Sequence, residues 1–141
     1  EISVTKAFSN LDGDTLVKVD GTYTFGIYDT PEATGSPLQT TSIVYGNGTV
    51  TPEEGIAWFR NLTIGKTYYV FELDDGGNPI FDGTTAIVSD TPFTVTGGGE
   101  AIEISSDHPS DSVTITNQIT YAELPETGSL GSGMIYALGG L

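Results

Sequence analysis

The chain has 141 residues, of which 37% are hydrophobic and 16% charged, enough for one packed domain and unlike a disordered composition. Nineteen acidic residues face four basic ones, a net charge of −15, which argues against nucleic acid or an anionic membrane surface as a direct partner. There is no cysteine and only one histidine, His108, so disulfides, thiolate catalysis and Cys-based zinc sites are excluded, and no metal or cofactor is expected.

The chain is rich in Thr, Val and Ile, with 19 Gly and 7 Pro, and no window carries a sustained helical apolar stripe. Residues 2–8 alternate, placing Ile2, Val4, Lys6 and Phe8 on one strand face. Residues 9–14 read as a turn. Strands are predicted at 15–19, 22–28 and 38–45, broken by Asp20-Gly21 and a loop at 30–37. Asn47-Gly48 is a hairpin signal. Strands at 56–60 and 66–73 follow, then a turn over 74–78. Strands at 79–88, 92–96, 101–104 and 113–119 complete the set. Many short strands between turn signals predict an all-β sandwich ending near residues 118–120. The expected division is therefore a sandwich over 1–120 and a tail over 121–141.

Three polar residues sit on faces that otherwise read as core. Lys6 shares a face with Ile2, Val4 and Phe8. Glu72 shares one with Tyr68 and Val70, and Asn117 one with Val113, Ile115 and Ile119. A lysine carried inward is costly unless it is paired.

The tail contains Leu124-Pro125-Glu126-Thr127-Gly128, followed by an uncharged stretch rich in Gly and Leu. This pentapeptide matches the LPxTG sorting signal of sortase substrates at every fixed position. Pro125 favours an extended bend, Leu124 offers an apolar anchor, and Gly128 admits a bulky active site to the scissile bond. The resemblance implies attack by a sortase thiolate on the Thr127 carbonyl, cleavage after Thr127, and transfer of the acyl group to an amine. That amine would belong to peptidoglycan or to another pilin subunit. Sorting signals of this kind continue into an apolar span and a basic tail. Here residues 129–141 follow, none of them basic, whereas a span needs about 20 apolar residues. The chain is thus expected to be a piece of a longer surface protein.

The body of the chain resembles the CNA-B (Cna protein B-type) domains of Gram-positive pilins and adhesins. The matching pieces are Val4-Thr5-Lys6, Phe59-Arg60-Asn61-Leu62, Gly65-Lys66-Thr67-Tyr68-Tyr69-Val70-Phe71-Glu72 and Val113-Thr114-Ile115-Thr116-Asn117. The resemblance implies an Ig-like β-sandwich of reverse Ig topology, followed by the sorting-signal tail. It also implies an intramolecular isopeptide bond between Lys6 and Asn117, assisted by Glu72 as the catalytic residue. Burial disfavours the lysine ammonium, and a neutral amine is a nucleophile. A buried Glu72 in its neutral form would donate to the Asn117 side-chain carbonyl and then shuttle a proton as ammonia leaves. Two other arrangements satisfy the same pattern: a buried Lys6–Glu72 ion pair with Asn117 hydrogen-bonded nearby, and a Lys6 that snorkels to the sheet edge.

The function implied is structural: a wall-proximal stalk domain of a sortase-anchored pilin or surface protein, outside a Gram-positive cell and attached to its wall or pilus. It would be a substrate of sortase rather than an enzyme. The alternative is an adhesin domain for a host surface ligand, with Trp58 and the tyrosines as a binding face, though core packing is the simpler role for those rings. Ser105 to Asp111 contains Ser, His and Asp, but as neighbours in a polar loop rather than a triad assembled in space. Asn10-Leu11-Asp12-Gly13-Asp14 lacks the sixth-position glycine of an EF-hand loop and reads as an acidic turn.

Overall fold

The computed structural model describes residues 1–15, 18–123 and 135–137. The described residues contain no helix, and the strands form two stacked sheets in a sandwich-like arrangement. In chain order the strands are β1 (Ile2–Ser9), β2 (Gly21–Tyr28), β3 (Gln39–Gly46), β4 (Thr49–Thr51), β5 (Ile56–Phe59) and β6 (Thr67–Leu73). They continue with β7 (Pro79–Ile80), β8 (Thr84–Val88), β9 (Thr91–Thr96), β10 (Ile102–Glu103), β11 (Asp111–Ile119), β12 (Tyr121–Glu123) and β13 (Ile135–Ala137). One sheet runs β5-β1-β11-β9-β8. The other runs β10-β6-β2-β3-β4, with β7 added beside β6. β12 and β13 pair with each other.

The alternation of β1 sets its faces: Ile2, Val4, Lys6 and Phe8 are buried, while Thr5 is exposed. β1 pairs with β11 in parallel, Lys6 opposite Ile115 and Phe8 opposite Asn117. The first and last long strands of the sandwich are thus neighbours at its centre. Between the sheets Phe8, Tyr23, Tyr45 and Phe93 pack edge to face or tilted, with Phe8 5.2 Å from Tyr23 and 5.4 Å from Tyr45. Tyr121, on β12, is buried in the same core.

Several expected boundaries move. The strand expected at 15–19 is absent from its described residues: Thr15 makes one bridge to Ser9, and 18–20 is irregular. Gln118 secures this turn instead, donating from Nε2 to the carbonyls of Asn10 and Leu11. The strand expected at 79–88 splits into β7 and β8. The Thr84 amide turns back to the Phe81 carbonyl, and Gly83 takes a left-handed φ of 85°. Asn47-Gly48 makes the expected hairpin, which leads into β4. β6 is buried on both faces: Phe71 and Leu73 form a second cluster with Tyr28 and with Ala33 from the loop after β2.

Two details join the sheets at their ends. Ser89 and Asp90 form the two-residue β8–β9 turn, both with left-handed φ. The Asp75 carboxylate, after β6, accepts from both turn amides at 2.7 and 2.9 Å. Farther on, Gly97-Gly98-Gly99 carries the chain from β9 to β10 in the other sheet. A Cβ on Gly97 would stand 2.3 Å from the Thr114 carbonyl oxygen.

Candidate functional site: a buried lysine, glutamate and asparagine

The structure brings Lys6, Glu72 and Asn117 together between the sheets. Lys6 and Asn117 come from adjacent strands of one sheet, and Glu72 from β6 of the other. The side chains of Lys6 and Glu72 have no solvent exposure, and Asn117 is wholly buried. Lys6 therefore does not snorkel.

Lys6 Nζ donates to Asn117 Oδ1 and, at 3.4 Å, to the Ile115 carbonyl oxygen. It stands 2.9 Å from Glu72 Oε1, which has no other polar partner among the described residues. Asn117 Nδ2 donates to Glu72 Oε2 at 2.6 Å. The three side chains form a closed triangle in which each touches the other two.

Two opposing effects act on the lysine. Burial disfavours the ammonium, while the Glu72 carboxylate, by charge and hydrogen bond, favours it. Burial is the larger and lowers the Lys6 pKa from 10.5 to about 8. The neutral form of Lys6 is therefore more accessible at neutral pH than that of an ordinary lysine. Neutral amine nitrogen is the nucleophilic form.

The hydrogen bond between Glu72 and Asn117 runs opposite to the expected one. Glu72 accepts from the amide nitrogen rather than donating to the carbonyl. The reason is the ammonium, which occupies Oδ1 and leaves the NH₂ end for the carboxylate. The amide is nearly symmetric in shape. A half-turn, with one proton moved from Nζ to Glu72, gives a carboxylic acid donating to Oδ1 and a neutral amine facing Cγ.

Two neighbours were not singled out in the sequence. Nζ lies over the ring of Phe8, 5.1 Å from its centroid, and over that of Tyr23, 5.3 Å away. Phe8 was legible as the next inward residue after Lys6. Tyr23 comes from the opposite sheet, and nothing in its spacing announces the contact.

The other candidates lie apart. Leu124, Pro125, Glu126, Thr127 and Gly128 fall outside the described residues. His108 Nε2 pairs with Asp111 Oδ2 at 3.1 Å, whereas Ser105 Oγ accepts from the His108 backbone amide, so hydroxyl and ring nitrogen are not aligned as a nucleophile and base. Asn10 Oδ1 accepts from the amides of Asp12 and Asp14, closing the acidic turn on itself. Tyr23, Tyr28, Tyr45, Tyr68 and Tyr121 are buried, so they form no exposed face. Trp58 is half-buried and stacks with the Arg60 guanidinium at 5.0 Å. No cluster of three or more metal-ligating side chains occurs among the described residues.

Comparison of the chain with protein-family models, with curated proteins and with solved structures returned no match.

Proposed function

We propose that this chain is a stalk domain of a sortase-anchored pilin or surface protein of a Gram-positive bacterium, locked by an isopeptide bond between Lys6 and Asn117. The observation that carries the reading is the closed, solvent-free triangle of Lys6, Glu72 and Asn117. A buried ion pair alone gives little net stability for its desolvation. Here the pair is set against a primary amide, which supplies an electrophilic carbon beside a nucleophile and a proton carrier.

The reaction balances without any further reagent. The neutral Lys6 nitrogen attacks Asn117 Cγ, the Cγ–Nδ2 bond breaks, and Glu72 relays a proton from Nζ to Nδ2. Ammonia leaves. The fold contributes proximity, which replaces a very high effective concentration. It is one event per molecule and not turnover.

The parallel pairing of β1 with β11 supports an Ig-like fold of CNA-B type with reverse Ig topology. The Leu124–Gly128 motif supports attachment through Thr127, by sortase, to peptidoglycan or a neighbouring pilin, and hence a place outside the cell. The bond would close a loop of 111 residues. By analogy with other cross-links, loop entropy alone would stabilise the fold by about 5 kcal/mol. Tension arriving on β1 and leaving on β11 would pass from Lys6 to Asn117 and spare the rest of the sandwich. A cysteine-free chain cannot obtain this from a disulfide.

Intact-mass measurement of the purified chain tests the reading. A mass lower by one ammonia than the sequence value, restored by Lys6→Ala or Asn117→Ala, is expected. An unmodified mass in the folded chain would leave a buried ion pair and remove the mechanical role.

A further inference from the structure

The bond-forming scheme leaves two neighbours of the lysine without a task. The rings of Phe8 and Tyr23 lie against Nζ with centroids 5.1 and 5.3 Å away. Both residues are buried, and their planes meet at 76°. The Tyr23 hydroxyl donates to the Val19 carbonyl at 2.7 Å, which fixes one ring. Tyr45 packs edge-on against both, 5.4 Å from Phe8 and 5.9 Å from Tyr23. Neither ring can turn away without disturbing the core.

An aromatic face attracts a cation and offers little to a neutral amine. Rings placed here therefore favour the charged form of the nitrogen that must lose its charge to react. Burial pulls the other way. We infer that Phe8 and Tyr23 are positioning residues that hold the Lys6 nitrogen as an ammonium against Glu72 and so set the pH at which it becomes a nucleophile. This rests on the proposed bond for its purpose, but its first test does not need the bond to form.

The ionisable groups around the nitrogen are few. Glu72 faces it from β6 and Tyr23 from β2. Tyr45 on β3, Tyr121 on β12 and Asp20 before β2 act on Tyr23. Exchanging a ring for leucine keeps an apolar wall and removes the negative ring face. Tyr23→Phe keeps the face and removes only the link to Val19.

The experiment uses the full chain carrying Asn117→Ala, which cannot form the bond. Lysines occur only at 6, 18 and 66, so selective labelling gives a simple NMR spectrum in which Lys6 is followed through the alkaline range. Phe8→Leu and Tyr23→Leu should each lower the Lys6 midpoint by about half a unit to one unit. Tyr23→Phe should leave it in place. A midpoint unmoved or raised in a folded Phe8→Leu chain overturns the inference; that variant decides if Tyr23→Leu does not fold.

A second readout restores Asn117 and times ammonia loss as a chain kept unfolded since its synthesis, and so still unbonded, first folds. Phe8→Leu should close faster than the unaltered chain below the native midpoint and equally fast well above it. Equal rates at every pH overturn the role in setting the reaction's pH. If no chain loses ammonia, the covalent reading falls, and the titration still judges the rings.

Discussion

Lys6 and Asn117 are offset by one inward position across the β1–β11 ladder: Lys6 pairs with Ile115, and Asn117 with Phe8. The lysine side chain leans along the strand to meet the amide, and its length is what spans the offset. Glu72 arrives from the facing sheet and meets both. No two of the three are near in sequence.

The first prediction separates the bond from the ion pair. Where the bond cannot form, in an Asn117→Ala background, Lys6→Ala should cost a further 3–5 kcal/mol or so, because Glu72 is left buried with no cation. Replacing Lys6 and Glu72 together by Met and Leu should recover most of that loss. Urea unfolding of the three chains checks it. Equal stability of the single and double replacements would show that Glu72 is tolerated unpaired.

The second concerns pH. In the unbonded fold Lys6 loses its proton near pH 8, whereas in the unfolded chain it does so near 10.5. Between these values the unfolded chain holds the extra proton on this lysine, so the lysine's contribution to the stability of the unbonded fold rises with pH across that window, opposed near pH 10 by Tyr23, Tyr28 and Tyr45, whose hydroxyls burial keeps protonated in the fold. Below it, both states are protonated and this group adds no slope. Denaturation of the Asn117→Ala chain with and without Lys6→Met, from neutral to alkaline pH, should show the lysine-bearing chain gaining stability relative to the other as pH rises above about 8.

Glycine is required unequally along the chain. Gly97 has a left-handed φ of 95° and no room for a Cβ beside Thr114, whereas Gly48, with φ 75°, has open space around it. Gly48→Ala should cost about 1 kcal/mol from backbone strain alone. Gly97→Ala adds a backbone clash and should cost at least about 3 kcal/mol. Thermal unfolding of the two variants gives the comparison.

Asp75 holds the β8–β9 turn by two amide hydrogen bonds. Asp75→Ala should cost about 1–2 kcal/mol, the site being exposed to water. Hydrogen exchange should show the Ser89 and Asp90 amides losing protection first. Unchanged protection there would mean the turn stands without the carboxylate.

The faces of β1 and β11 were legible because each alternates, and a polar residue on an apolar face is conspicuous in such a pattern; on β6, apolar on both faces, Glu72 stands out as the one charge beside Tyr68 and Val70. Lys6, Glu72 and Asn117 could be singled out for that reason. Alternation says nothing about which strand lies beside which, so the parallel β1–β11 pairing is not contained in either segment. The break between β7 and β8 turns on the Phe81–Thr84 hydrogen bond, which apolar residues on either side concealed. The strand expected at 15–19 had suitable residues but no described ladder partner beyond Ser9. The period of two puts Phe71 and Leu73 on the face opposite Glu72; the loop carrying Ala33 folds over them, and a loop's path is not written in strand periodicity.

The parallel β1–β11 pair also sets the first strand's start and the last long strand's end at opposite poles. A chain passing in along β1 and out along β11 starts at one pole of the sandwich and finishes at the other, with about 30 Å of strand between them. A hairpin pairing would return the exit to the entrance. Strung in tandem, such units would line up pole to pole, and each added copy would extend the reach of whatever it carries by nearly its full height.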